Sequence, residues 1–240
     1  VVFDENAITI EEQIQFQEQK SQLETPKEIL DAVVEKLSQT GLSRNIFTDK
    51  KRGIDRLNQL KKLGVVKQQV SAEQVNGFTD GNDIYILNDG INVSIHEHGH
   101  LWYSWAKESR PDLISRANEL IIDTPYYTQV KESSIYSQMT EEQMLEEAVV
   151  QAIGDKGEQI VDNARKTQFQ QWLSELWSSI KDLLGISNVT PQQLQDMTMD
   201  EFANAVAVDL LRVIDFKGQK AQEYFTREAD RLQLIQDIIN

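Results

Sequence analysis

The amino-acid sequence predicts an α+β fold that is mainly helical and contains a small β-sheet. Most of the chain repeats its apolar residues at helical spacing, and only one strand pair or triplet is convincing. The chain contains only four prolines, the residue that most often interrupts a helix. Because 40% of its 240 residues are hydrophobic, it can bury a core that fits one large domain or a domain with appended helices.

The first predicted elements are an N-terminal arm and an amphipathic helix. Residues 11–24 are polar with a thin apolar stripe, which indicates a surface helix or an arm within a separate segment, 1–24. A helix is predicted from Pro26, with Thr25 as its N-cap and Gly41 as its stop. Its apolar face consists of Ile29, Leu30, Val33, Val34 and Leu37.

A basic helix, a strand and an aromatic-rich helix follow. The basic helix is predicted over 49–63 and ends at Gly64, and the turn-forming clusters TDGN and NDG bracket a strand predicted over 83–88. The next helix is expected to begin with Asn92 or Ser94 as its cap. It should run to about residue 108, before Arg110 and Pro111. Its aromatic residues are expected to anchor the core: Trp102, Tyr103 and Trp105.

Helices dominate the remainder of the chain. They are predicted over 112–122, 140–153, 157–184, 191–214 and 219–239. Thr190 and Pro191 supply the cap and the first position of one helix, and residues 216–240 form a separate C-terminal helix. A face expected to pack in the core or between domains consists of Phe169, Trp172, Leu173, Leu176, Trp177 and Ile180.

The charge and composition argue against several classes of partner. The chain has 24 basic and 39 acidic residues, a formal charge of −15, so nucleic acid and anionic membranes are not expected partners. No apolar run approaches the roughly 20 residues that cross a bilayer, and no signal peptide is predicted. Since the first residue is Val1 rather than methionine, we expect a processed product or an excised part of a longer protein.

All three histidines of the chain lie in one short stretch, NVSIHEHGHLWYSW, at residues 92–105. His96 and His100 are four residues apart, so on a helix they project from one face and can bind one ion. Glu97 lies beside the first of them, where it can accept a proton from a water on that ion. This arrangement is the HExxH pattern of zinc hydrolases, which predicts a catalytic Zn²⁺ site.

The sequence also distinguishes the middle histidine, His98, from the predicted ligands and restricts the type of the third ligand. His98 lies about 200° around the helix from His96, so it is expected to pack or to support the site rather than to bind zinc. No cysteine or further histidine exists, and the HExxHxxGxxH pattern would require a glycine and a third histidine where Tyr103 and Ala106 stand. The third protein ligand must therefore be a carboxylate.

The acid-rich helix TEEQMLEEAVVQAIGDKG offers two candidates for this carboxylate, and the residue pattern leaves both open. Glu146 lies nearer the edge of the apolar stripe than its neighbour does. Glu147 has Gln151 at position i+4 on its own face as a supporting partner. For the oxyanion, Tyr126, Tyr127 and Tyr136 are candidate donors that the sequence does not rank.

The segments GFTDGNDIYILNDGINVSIHEHGHLW, SRPDLISRANELI, TPYYTQVKES and LEEAVVQAIGDKGEQI together resemble a known family. They are similar to the zincin peptidase domain embedded in large polyvalent proteins of phages and mobile elements of gut bacteria. The resemblance spans about residues 26–215. It implies a zincin-like metallopeptidase domain over 25–215, with a small β-sheet beside the HExxH helix and additional C-terminal helices.

The resemblance also implies site residues and an activity. The family places a glutamate seven positions before a glycine, which Glu147 and Gly154 match, so Glu147 is favoured as the third zinc ligand of a gluzincin-like site. The family usually has an aromatic or aliphatic residue where this chain has His98. The implied function is a zinc metalloendopeptidase in which Glu97 is the general base and strand 83–88 positions an extended peptide.

The implied setting is a phage-encoded protein in the virion or the host cytoplasm. Its partners would then be a peptide or protein substrate and other virion proteins. The alternative hypothesis is a virion cargo or scaffold module that keeps a zincin fold without proteolytic activity. The retained Glu97 favours the enzyme, because a purely structural zinc site has no use for a base beside it.

Overall fold

The computed structural model describes residues 26–64, 75–88, 90–133, 136–137, 139–163 and 169–212, and for residues 26 and 169–175 it describes the backbone alone. Across these residues, a predominantly helical α+β class is confirmed, since helices accompany one three-stranded sheet. The predicted arm or helix at 11–24, the cap at Thr25 and the helix at 219–239 lie outside the described residues.

The elements follow one another in the order of the chain. The strands are β1 (Asn45–Phe47), β2 (Gly77–Asp80) and β3 (Asp83–Ile86). The helices are α1 (Pro26–Ser38), α2 (Lys50–Lys62), α3 (Ile91–Ser109), α4 (Pro111–Ile121), α5 (Pro125–Glu132), α6 (Glu141–Asn163), α7 (Phe169–Asp182), α8 (Pro191–Asp196) and α9 (Met199–Arg212). None of the described helices is long and apolar enough to cross a membrane.

Local sequence accounts for several of these boundaries. Asp49 caps α2 by accepting a hydrogen bond from the Arg52 backbone N–H at 2.7 Å. Beyond the same helix, Gly64 adopts a φ of 73°, as expected of a glycine that ends a helix. Thr190 caps α8 in a reciprocal capping box with Gln193, which confirms the predicted threonine cap.

Three predicted helices have wrong boundaries. The helix predicted to end at 153 continues to Asn163, because Gly154 and Gly157 serve a close contact with α3 rather than helix termination. The helix predicted over 157–184 therefore becomes the end of α6 followed by α7. Similarly, the helix predicted over 191–214 is divided into α8 and α9. Thr198 starts the second of these by accepting from the Glu201 backbone N–H at 3.3 Å.

The sheet has the strand order β1-β3-β2. Strand β3 is parallel to β1, with Ile46 opposite Ile84, and antiparallel to β2, with Thr79 opposite Ile84. The strand predicted over 83–88 therefore exists over Asp83–Ile86, but both of its edges are already paired. It cannot add a peptide to the sheet, so the prediction that it positions the substrate is wrong; β2 is the edge strand that borders the cavity described below.

Helix α3 runs through the centre of the core and packs most extensively against α6. Trp102 and Tyr103 are almost fully buried, which confirms their predicted role as core anchors, and Trp105 is partly buried against the same core. Leu176 and Ile180 bury the predicted apolar face of α7, whereas the side chain of Trp172 lies outside the described residues. The helix α5, which follows Thr124, was not predicted because eight residues show little periodicity.

Candidate metal centre

Helix α3 begins where α6 crosses it. Its N-cap is Gly90, so the prediction of Asn92 or Ser94 as the cap is wrong. In the first turn, the backbone N–H of Asn92 interacts with the carboxylate of Glu158 on α6. The side-chain oxygen of Asn92 accepts from the Val93 N–H at 2.8 Å.

Three side chains from α3 and α6 converge on one point. The rings of His96 and His100 lie side by side with centroids 4.9 Å apart. Glu147 faces both: its Oε1 is 3.7 Å from His96 Nε2 and its Oε2 is 3.5 Å from His100 Nε2. Ligand atoms of a tetrahedral zinc ion lie about 3.3 Å apart, so these nitrogens and oxygens have suitable spacing. His96, His100 and Glu147 thus form a group that could hold a metal ion, and we refer to these three residues as the metal-binding group.

The neighbouring glutamate has a different contact. Glu146 Oε1 lies 2.9 Å from His100 Nδ1, the ring nitrogen that faces away from Glu147. Glu146 therefore does not belong to the metal-binding group, contrary to the slight preference that apolar periodicity gave it. A carboxylate in this position accepts the Nδ1–H of a histidine and leaves Nε2 available to a metal.

Two further side chains hold Glu147. Tyr136 donates its hydroxyl to Glu147 Oε1 at 2.9 Å, and Gln151 donates its amide to the same oxygen at 3.0 Å. The predicted supporting role of Gln151 is thus confirmed by a hydrogen bond. Because both donors contact Oε1, they fix the orientation of the carboxylate between the two histidines.

Glu97 is buried beside this group, with 5% of its surface exposed. Its Oε2 accepts a hydrogen bond of 2.8 Å from the hydroxyl of Thr79 on the edge strand β2. A Cβ added at Gly77 would lie 3.0 Å from Glu97 Oε1 and 2.8 Å from a Val93 methyl, so glycine allows the strand to approach the helix. The contacts of Thr79 and Gly77 were not predictable from the sequence, because both depend on how the sheet packs on α3.

Glu97 and Glu147 differ in pKa because they differ in burial and in the charges around them. Burial raises the pKa of Glu97 to about 7. Burial acts in the same direction on Glu147, but hydrogen bonding to His100 and the charge of His96 outweigh it and lower its pKa to about 2. A carboxylate that stays ionised suits a metal ligand, whereas one that titrates near neutrality suits a proton acceptor.

The pKa values of His96 and His100 are shifted in opposite directions. Burial, followed by the charge of His100, lowers the pKa of His96 to about 4. Burial would also lower the pKa of His100, but its hydrogen bonds to Glu146 and Glu147 raise it well above the ordinary value. His98 lies on the far side of α3, where it is fully buried with Nδ1 2.8 Å from the Ser94 carbonyl oxygen. It is not among the metal-binding group, as predicted, and it packs in the core.

The three candidate tyrosines occupy different positions. Tyr136 contacts Glu147, and burial followed by the charge of Glu147 raises its pKa, so it remains a neutral donor. Tyr126 donates its hydroxyl to Asp155 Oδ2 at 3.1 Å. Tyr127 is buried and does not line the cavity, so Tyr136 is the tyrosine that the fold brings to the metal-binding group.

A cavity of about 950 Å³ opens over this group. Its walls come from β2 with the preceding Val75 and Asn76, from α3, from α5 and from α6. It is large enough for several residues of an extended peptide. His96, Glu97, His100 and Glu147 all line it, so the metal-binding group is accessible to a ligand.

Comparisons with known protein families, curated proteins and solved structures found no match for this chain.

Proposed function

We propose that this protein is a zinc-dependent peptidase that hydrolyses peptide bonds at the metal-binding group. The observation that carries the proposal is the position of Glu97, a buried carboxylate of raised pKa that follows one histidine of the group and shares its cavity. A site that only stabilised the fold would need the three candidate ligands but not this additional carboxylate. Two histidines and one glutamate fit the donor set of catalytic zinc, and the cavity gives a substrate access to them.

The proposed reaction gives separate tasks to Glu97, Thr79 and Tyr136. A bound zinc ion would lower the pKa of water and polarise the scissile carbonyl group. Glu97 accepts the proton of the attacking water and transfers it to the leaving amine, while Thr79 holds one of its oxygens in place. Tyr136 lies next to Glu147, and it would donate to the oxyanion on the substrate by transferring its one hydroxyl hydrogen bond from Glu147 Oε1.

The edge strand β2 offers a surface for the substrate backbone. Gly77, Phe78 and Thr79 line the cavity, and β2 has β3 as its partner on one side in the described sheet. An extended peptide can hydrogen-bond to such an edge with its side chains pointing alternately toward the cavity and away from it. Thr79 would then link the strand that binds the peptide to the base that acts on it.

Iron is the main competitor for this donor set, because two histidines and one carboxylate also bind Fe(II) in oxygenases. The carboxylate of Glu97 beside the candidate ligands favours zinc, since oxygen activation does not need a proton acceptor at this position. Elemental analysis of the purified protein distinguishes the two metals. One equivalent of zinc supports the proposal, and one equivalent of iron contradicts it.

The decisive experiment compares wild type with Glu97→Gln. Purified proteins are supplied with zinc, and cleavage of an internally quenched peptide library is measured together with zinc content. We expect Glu97→Gln to keep one equivalent of zinc, because its ligands remain, and to lose about 10²- to 10⁴-fold in cleavage rate. Glu142→Gln, the same change at an exposed position of α6, serves as the matched control.

Two outcomes would contradict the proposal. Equal cleavage by wild type and Glu97→Gln would remove the assigned role of Glu97. A folded wild type that binds zinc but cleaves neither the library nor a mixture of phage and host proteins would favour the alternative, a cargo or scaffold module that keeps the site without using it.

A further inference from the structure

One face of α6 forms a row of polar side chains along the cavity. Glu147, Gln151 and Asp155 are spaced four residues apart, so they project from the same side of the helix, and all three line the cavity. Gln151 donates to Glu147, which places it next to the metal-binding group. Asp155 lies two turns from Glu147, about 12 Å along the helix axis.

The carboxylate of Asp155 is held in place but not neutralised by its neighbours. The Tyr126 hydroxyl donates to its Oδ2 at 3.1 Å, which fixes its position with a neutral partner. The next residue on the helix, Lys156, pairs instead with Asp200 of α9 at 2.5 Å. Asp155 is half-buried, so a charge that binds it is partly shielded from water.

The charges around the cavity are one-sided. Its described lining contains no lysine or arginine, and its carboxylates are Glu97, Glu146, Glu147 and Asp155. Three of these already have tasks: Glu146 contacts His100, Glu147 faces both histidines, and Glu97 is the proposed base. Asp155 is the carboxylate that remains for a ligand.

We propose that Asp155 is a specificity-determining residue that binds a lysine or arginine side chain of the peptide substrate. This inference rests on the proposed peptidase function and names its substrate class. The rise of about 12 Å is measured from Glu147, whereas Gly154, the neighbour of Asp155, lies against His96, where an added Cβ would be 3.1 Å from His96 Cβ. The bound cation is therefore a side chain of a residue that flanks the scissile bond.

The test uses peptides that are acetylated at the N-terminus and amidated at the C-terminus, so that the side chain is the sole cation. Lysine, arginine or norleucine is placed in turn at each position flanking the cleaved bond, and kcat/KM is measured. At one position, wild type should prefer the basic residues by about 10-fold or more, the usual effect of a charge-assisted hydrogen bond. Asp155→Asn, which can still accept from Tyr126, should lose this preference.

Two further variants make the result specific. Asp162→Asn removes the same charge from an exposed position of α6 outside the cavity lining, and it should keep the wild-type preference. Asp155→Lys should prefer glutamate over lysine at that position. A lysine preference that persists in Asp155→Asn and Asp155→Lys, or no preference in wild type, would overturn the inference.

A binding measurement separates this inference from the proposed function. Zinc-loaded Glu97→Gln is titrated with the fluorescent lysine peptide and with its norleucine counterpart, and the double variant Glu97→Gln/Asp155→Asn is titrated in parallel. Tighter binding of the lysine peptide that disappears in the double variant supports the cation site, even where wild type cleaves nothing and the peptidase proposal fails. Equal binding of both peptides to Glu97→Gln contradicts the cation site, even where wild type is an active peptidase.

Discussion

Two adjacent glutamates of α6 contact the same histidine through different ring nitrogens. Glu147 faces His100 Nε2 at 3.5 Å and Glu146 lies 2.9 Å from Nδ1, so one is placed to share a metal and the other to orient the ring. Neighbouring helix positions differ by about 100° in direction, which lets them approach the imidazole from two sides. Their separate tasks predict different consequences of the same substitution.

We expect Glu146→Ala to retain one equivalent of zinc but to lower its affinity by about 10- to 100-fold, the usual effect of removing a carboxylate that supports a ligating histidine. Glu147→Ala removes a ligand and should fail to hold a full equivalent after dialysis. Zinc competition with a coloured chelator measures both affinities. Glu146→Gln, which can still accept from Nδ1, is the matched control and should lie between Glu146→Ala and wild type. Equal losses in the Glu146→Ala and Glu147→Ala variants would contradict the assignment.

Glu97 also predicts a pH dependence of stability in the metal-free protein. Its pKa is raised from 4.5 to about 7 by burial, so the folded state holds the proton more tightly than the unfolded state does. The corresponding stability is fully present below pH 4.5 and is lost as the pH rises through 7, a difference of about 3 kcal/mol. Glu97→Gln keeps a neutral side chain throughout this range.

The free energy of unfolding of Glu97→Gln relative to wild type should therefore increase between pH 5 and 8, the range in which the wild-type carboxyl group ionises. Urea denaturation in the presence of a chelator, at one-unit steps of pH, measures this difference. For the exposed Glu142→Gln substitution, the free energy of unfolding relative to wild type should stay constant between pH 5 and 8. A difference that is constant over the range would show that Glu97 ionises normally in the fold.

At the scale of secondary structure, periodicity and caps predicted most helices, and contacts between elements decided the rest. The start of α3 was not predicted, because its N-cap Gly90 has no capping side chain and the stronger capping residues Asn92 and Ser94 lie inside the helix. Likewise, β3 was predicted where it occurs, but its pairing on both edges depends on β1 and β2. The two histidines and Glu97 were predictable from spacing, whereas the hydrogen bond from Thr79 to Glu97 was not.

Gly154 illustrates how an element-level contact builds the site. The predicted preference for Glu147 rested on a glycine seven residues later, and in this chain that glycine makes a close contact with α3. Seven residues are about two turns, so Gly154 lies on nearly the same face of α6 as Glu147. A Cβ added at Gly154 would lie 2.9 Å from the Asn92 carbonyl oxygen and 3.1 Å from His96 Cβ, so the glycine lets α6 approach the first histidine.

Gly154→Ala should therefore push the two helices apart. The overlap involves backbone, which cannot rotate away, so we expect a loss of about 1–3 kcal/mol in stability and weaker zinc binding. Gly157→Ala is the comparison variant: its Cβ would overlap the Ile95 side chain at 2.5 Å, one turn farther from the ligands. It should lower stability with less effect on zinc affinity. Denaturation curves and zinc competition measure both quantities, and undiminished zinc affinity in Gly154→Ala would contradict this account.

At the scale of the whole molecule, the site lies on the helix pair that forms the centre of the core. Apolar residues of α3 and α6 are almost completely buried around His96, His100 and Glu147, among them Ile95, Val149, Val150 and Ile153. The positions of the three candidate ligands are therefore set by hydrophobic packing that needs no ion. This arrangement differs from a zinc finger, in which metal binding drives folding.

The final prediction is that metal removal weakens the fold without unfolding it. Chelated protein should keep the helical circular dichroism of wild type, because the packed core remains. Adding zinc should then raise the melting temperature, since a ligand at 1,000 times its Kd stabilises the native state by about 4 kcal/mol. Glu147→Ala should lack most of this rise because it has lost a ligand, while the exposed Glu142→Gln variant should keep it. Loss of helical signal on chelation would mean that the metal is structural, and the proposal that it serves catalysis would lose its main support.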